Sequence, residues 1–309
     1  MVNLIKKSIG CLEIRFWAIS RFIVFLLAVG NLAACKGKGH KHKSISADSA
    51  AALVAQAHYD LTAPQRIVLG EKLHEISGIS FVSDHIIIAE NDEQGRVFSI
   101  DPLKPGDTGY PSVKFGKKDD YEDIVVIDST AWLLISDGEL VEVPGFTQAE
   151  EVNSTIVARI GGTHNEFESL YYDKSVNSLV MICKSCQHEK DEIRTAYRFD
   201  LQSKKFSDTA YYTVSIPAIA ARLHRDKEVK FFPSAAALQP LLDKIYIISS
   251  IGKLLVVADR KGKIEEVFKL DPAIFNQPEG ITFAPGGDMY ISNEGGDGKA
   301  TLLKFAYKP

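Results

Sequence analysis

Nowhere in the 309 residues is there an apolar run long enough to cross a hydrocarbon core, which takes about 20 residues. The sequence has no Gly-x-Ser-x-Gly and no His-Glu-x-x-His, which removes the serine-hydrolase elbow and the zinc-protease helix. From Pro64 onward no long helical periodicity can be found. Positive charge is also scarce there. The chain carries −4, but residues 1–34 carry +3 and residues 36–63 carry +2, so the body from Pro64 carries −9. Phosphate backbones are held by clustered Lys and Arg, so general nucleic-acid binding is excluded and cations suit the body better. Cysteine numbers four, whereas 45% of the residues are hydrophobic, so the chain has the means to build a packed core.

What is present begins with signal-peptide grammar. Lys6, Lys7, Arg15 and Arg21 precede the apolar run Phe22–Val29, which gives way to Leu32-Ala33-Ala34-Cys35. That tetrapeptide has the form of a lipobox, so residues 1–34 read as a lipoprotein signal and Cys35 as the lipidated first residue. Residues 35–63, polar and then Ala-rich, read as a flexible tether. His40 and His42 sit among lysines there and read as solvated rather than as metal ligands. The chain is thus expected in the bacterial envelope, outside the cytoplasm, held to the outer membrane by the Cys35 acyl anchor.

From Pro64 to Pro309 short β-branched and aromatic runs alternate with Gly, Asp, Asn and Pro, an all-β pattern. It repeats five times. Each copy starts with a polar residue, a small or acidic residue and an apolar strand: Ser77-Gly78-Ile79, Glu122-Asp123-Ile124, Glu168-Ser169-Leu170, Ser234-Ala235-Ala236 and Glu279-Gly280-Ile281, at spacings of 45, 46, 66 and 45. Second, third and fourth strands follow in every copy except the last, which runs out of chain. Arg66–Leu69 can complete it. Four-stranded units of about 40 to 50 residues predict a five-bladed β-propeller closed by its N-terminal strand, in preference to a β-sandwich. The long third spacing implies insertions around 187–194 and 218–230.

Tyr121-Glu122-Asp123-Ile124, Ile135-Ser136-Asp137, Phe167-Glu168-Ser169-Leu170, Pro278-Glu279-Gly280-Ile281 and Tyr290-Ile291-Ser292-Asn293-Glu294 resemble the SdiA-regulated family of bacterial propellers, distantly similar to NHL-repeat proteins. The resemblance covers Pro64 to Pro309. It implies a five-bladed ring with a bound calcium ion and no established catalytic activity.

Inner strands of a propeller begin near its central channel, so the phase-matched residues Ser77, Glu122, Glu168, Ser234 and Glu279 are expected around one axis. Three glutamates crowded there repel one another unless a cation intervenes. Calcium suits an extracytoplasmic all-oxygen site. Glu122, Glu168 and Glu279 are therefore candidate ligands, with Ser77, Ser234, Glu90, Asp137 and Glu294 as an outer shell or channel lining. The alternative is that the glutamates cap strand ends. Gly295–Thr301 and Asn91–Gly95, which superficially suggest a phosphate loop and a calcium loop, read as hairpin turns. Cys183 and Cys186 are expected to form a disulfide in an exported protein, with free thiols or metal binding as alternatives. Two functions compete: a calcium-containing binding module for a protein or saccharide, and a metal-dependent hydrolase of lactones, esters or phosphoesters.

Overall fold

The computed structural model describes residues 58–309 apart from 84, 105–108, 161–163, 188, 190–191 and 225–228, all within one compact unit. The signal segment, Cys35 and the tether up to residue 57 lie outside the described residues. Five antiparallel sheets form, one per sequence repeat. Blade 1 comprises Ile76–Ser83, Ile86–Asn91, Gln94–Ile100 and Ser112–Lys114. Blade 2 comprises Tyr121–Ile127, Thr130–Ile135, Glu139–Pro144 and Thr155–Arg159. In blade 3, Glu166–Asp173, Ser178–Ser185 and Ile193–Asp200 are edged by two short strands, Lys205–Phe206 and Tyr212–Ser215. Blade 4 comprises Ala235–Gln239, Lys244–Ser249, Leu254–Ala258 and Ile264–Lys269. Pro278–Phe283, Met289–Asn293 and Thr301–Phe305 make blade 5.

The fourth strand of blade 5 is Gln65–Val68, which pairs antiparallel with Thr301–Phe305 from Gln65 opposite Lys304 to Val68 opposite Thr301. This is one residue earlier than the sequence implied, and it joins the two ends of the described chain. The all-β five-bladed propeller expected from the repeats is therefore the observed fold.

Blade stacking explains the sequence pattern. Middle strands such as Lys244–Ser249 and Leu254–Ala258 are buried on both faces and read as unbroken apolar runs. Outer strands such as Thr155–Arg159 are mostly exposed. Five apolar clusters fill the five seams, and the seam between blades 5 and 1, where Ile67 and Leu302 meet Ile79 and Ala89, closes the circle. The insertion after Tyr212–Ser215 contains one short helix, α1 (Ile216–Arg222), which no periodicity announced. Ser215 caps it by accepting from the Ala218 amide at 3.3 Å, and Ile216 and Ile219 dock into the seam between blades 3 and 4.

The folded body starts upstream of the expected boundary at Pro64. Tyr59 is 1% exposed, its hydroxyl donates to the Gly287 carbonyl at 2.6 Å, and its ring packs among Tyr246, Phe283 and Tyr307. Composition gave no hint of this, because one aromatic residue among small polar neighbours carries no periodic signal.

Candidate cation site at the channel mouth

Glu122, Glu168 and Glu279 each lie at a break in the ladder between inner and second strands. Tyr121 pairs with Ile135 and Asp123 with Leu134; Phe167 pairs with Cys183 and Ser169 with Ile182; Pro278 pairs with Asn293 and Gly280 with Ser292. Each glutamate is thus the extra residue of a β-bulge, a device that re-aims a side chain out of the sheet. Ser77 falls in the corresponding irregularity between Ile76 and Ile79. One residue beyond those second-strand partners come Asp92, Ser136, Lys184 and Glu294, with Ser250 at the matching point of blade 4. The mouth therefore has two positions per blade.

The three glutamates are brought together as the repeat phase implied. Burial and then the charge of Glu168 push Glu122 up to about 9, and burial and then Glu168 push Glu279 up to about 8. Glu168 is raised chiefly by burial, against the lowering effect of Lys184. Lys184 forms an ion pair with Glu168, both side chains being less than one-fifth exposed. A hydrogen bond from Ser250 reaches Glu279. Among the described residues no hydrogen bond reaches the Glu122 carboxylate.

Beside them lies a second acidic group. Glu294 is pushed up to about 8 by burial and by a hydrogen bond with Glu75, while that bond and His74 hold Glu75 below its ordinary value. His74 Nδ1 sits 2.7 Å from Glu75 Oε1. Burial and the Glu75 charge raise Asp92 to about 6.

The expected outer shell divides. Ser77 and Ser234 are seam staples, their hydroxyls donating to the carbonyls of Glu122 at 2.7 Å and Pro278 at 2.9 Å in the next blade. Glu294 lies at the mouth, in the pair with Glu75. Glu90 is fully buried two residues inside the mouth position of its own strand. Asp137 is corrected: the second strand of blade 2 ends at Ile135, and Asp137 enters the turn, where it pairs with Arg159 and accepts from the Glu139 amide at 3.2 Å.

The second repeat position is explained as well. A Cβ on Gly78 would meet the Asp123 backbone at 2.5 Å, so only glycine fits there. Asp123 itself is buried and accepts from the Leu170 amide at 2.6 Å, tying blade 2 to blade 3. Sequence reasoning missed Lys184, Ser250, Asp92 and Glu75, because their place at the mouth depends on strand register.

Cys183 and Cys186 are joined in a disulfide. Among the described residues they and Glu189 form the one group with metal-ligand spacing, and disulfide sulfurs are not available as thiolate ligands. The three mouth glutamates are not drawn within 4.8 Å of one another. Their hard oxygen donors fit a calcium ion that keeps water ligands, since calcium accepts six to eight with loose geometry. At the other end, a cavity of about 340 Å³ bounded by all five inner strands, including Ile79, Ile124, Leu170, Ala236 and Ile281, is predominantly apolar.

Four sheets of four strands and one of five, closed into a ring around an acid-mouthed channel, define a five-bladed β-propeller. No protein-family model and no curated protein matches the sequence. Solved structures match the fold. A Myxococcus xanthus glutaminyl cyclase is 14% identical over 79% of this chain and 94% of that one, with a TM-score of 0.52. A Bacteroides thetaiotaomicron protein of unknown function is 14% identical over 74% of this chain, with a TM-score of 0.49, and this chain spans 57% of its length. Regucalcin from Agrobacterium tumefaciens, a calcium-binding protein, is 11% identical over 79% and 96%, also at 0.49. At these identities the likeness shows the fold alone.

Proposed function

We propose that the protein is an envelope-anchored, calcium-binding β-propeller of the SdiA-regulated kind, acting as a binding module for a protein or saccharide. The observation that carries this reading is the convergence of Glu122, Glu168 and Glu279 on bulges at one channel mouth, with one lysine, Lys184, directly paired among them. Three half-buried carboxylates face one paired ammonium, and a divalent cation can take the place of the protons they otherwise retain. Calcium with exchangeable water ligands presents positions that hydroxyls or carboxylates of a partner can take. The acidic body favours such a ligand over nucleic acid.

Metal-stripped protein should gain melting temperature on adding calcium and lose it again on chelation, as for any ligand bound only by the folded state. A melting curve unmoved by both treatments refutes calcium binding. The anchor is tested separately: mass spectrometry of the mature protein should find acyl chains on Cys35, and Cys35→Ala should abolish them. An unmodified mature N-terminus on the wild type refutes that part.

A hydrolytic reading rests on the pairing of Glu75 with Glu294 beside the acidic mouth, where the bond to Glu294 and then His74 hold Glu75 low and burial pushes Glu294 up, two carboxylates whose surroundings drive their pKa values apart. Calcium-dependent turnover of a lactone, ester or phosphoester that Glu294→Gln removes would establish it.

A further inference from the structure

Two cavities open on the rim of the mouth over blades 4 and 5. One, of about 590 Å³, is walled by the turn Gly295–Lys299, by Arg66 of the closing strand and by Asn293. The other, of about 400 Å³, is lined by Lys253, the half-buried Phe232 ring and the exposed Ile251, with Lys184, Glu168 and Glu279 on the side of the channel. Asn276 and Gln277, in the connection from blade 4 to blade 5, border both cavities, so the two adjoin along one cleft.

Three cations border this cleft, and among the described residues none of them has an ion pair: Arg66, Lys253 and Lys299. The Lys253 ammonium donates to the Asn276 carbonyl at 2.5 Å, which holds it where the cavities adjoin and leaves two of its three N–H donors for a ligand. Of the acids on the lining, Glu168 is paired with Lys184 and Glu279 holds the Ser250 hydrogen bond, so only the exposed Asp297 is left over. An otherwise acidic mouth thus carries a strip of spare positive charge. Asn293 supplies an independent observation. It is 2% exposed, and its Nδ2 donates to the Ile274 carbonyl at 3.2 Å and to Thr301 Oγ1 at 3.1 Å. Its Oδ1 is buried without a donor among the described residues, an unfavourable state for an amide oxygen.

We propose that this cleft binds an acidic saccharide, a short run of uronate sugars whose carboxylates meet Arg66, Lys253 and Lys299. It rests on the reading of the protein as a binding module and names the class of its ligand. The lining asks for three things together: anions for the cations, an O–H donor for Asn293 Oδ1, and a C–H face to cover Phe232 and Ile251. Each uronate residue carries all three. Inorganic phosphate lacks the apolar face, and an acidic peptide lacks the row of hydroxyls.

The test is calorimetric titration of full-length protein with trigalacturonate, with its methyl ester, which keeps the shape and removes the charge, and with triglutamate. Trigalacturonate is expected to bind at least about tenfold more tightly than either of the others. Lys253→Gln should weaken it about tenfold and the more exposed Arg66→Gln about threefold, while Lys205→Gln, on the exposed edge of blade 3, leaves it unchanged. Circular dichroism verifies that each variant is folded, and Arg66→Gln carries the comparison should Lys253→Gln fail to fold. Wild-type affinity in both cleft variants overturns the location. An ester that binds as tightly as the acid overturns the role of the cations, and triglutamate binding as tightly overturns the saccharide in favour of an acidic peptide. A wild type that binds no trigalacturonate but still gains melting temperature with calcium overturns the cleft alone; failure of both overturns the calcium reading too.

Discussion

Lys184 forms its ion pair with Glu168 from inside the loop that the Cys183–Cys186 disulfide closes, so the cation at the mouth is carried by a covalently fixed turn. Burial works against the ammonium, yet the Glu168 bond outweighs it and holds Lys184 above its ordinary value. Where blades 1 and 5 put Asp92 and Glu294, blade 3 puts a positive charge. Lys184 is the one positively charged residue among the mouth positions, beside Asp92, Ser136, Ser250 and Glu294.

Lys184→Met should therefore leave Glu168 with an unpaired, largely buried charge. The cost is expected at about 1–3 kcal/mol, below that of a fully buried pair because both side chains retain some exposure. Urea denaturation of metal-free protein measures it, and an unchanged midpoint would show that solvent already neutralises the pair.

Reduction of the disulfide should loosen the same corner. Closing so short a loop is worth about 2 kcal/mol in the chain-entropy account. Alkylation of native, unreduced protein should label neither Cys183 nor Cys186, and the Cys183→Ser, Cys186→Ser double variant should melt lower. Labelling of both residues in the exported protein contradicts the pairing.

Stability without calcium should depend on pH in a set direction. Glu122 and Glu279 titrate near 9 and 8 when folded, against 4.5 ordinarily, so between these limits the folded state holds protons that the unfolded state has released. Stability then falls as pH rises from about 5 toward 9. Calcium replaces those protons, so it should restore more melting temperature at pH 8 than at pH 5.5. Metal-free protein equally stable at both values would contradict the burial of these acids.

Tyr59→Ala should destabilise the fold by about 3 kcal/mol, as removal of a large buried aromatic does. A chain beginning at Pro64 should lose as much, and one beginning at Glu71 more, because it also lacks the strand that pairs with Thr301–Phe305. Thermal melts of the three proteins give the ranking directly. A chain beginning at Glu71 that melts like the full length would show that the closing strand contributes nothing.

The sequence by itself determined the ring. Five phase-matched repeats with unbroken apolar middle strands admit few arrangements that bury both faces of each sheet, and their common phase was enough to gather Glu122, Glu168 and Glu279. What the sequence left undecided was everything that depends on register. Asp92, Lys184 and Glu294 become equivalent only when the ladders are aligned through the bulges, and a shift of one residue, such as separates Ser136 from Asp137, moves a side chain from the mouth to an exposed turn. Burial was equally hidden. Glu90 in a hydrophilic-looking stretch and Tyr59 ahead of Pro64 gain their environments from chain segments up to 248 residues away, Tyr307 among them. Only the closed tertiary structure brings those segments together, because the desolvation that singles these residues out arises where blades meet and not along the strand.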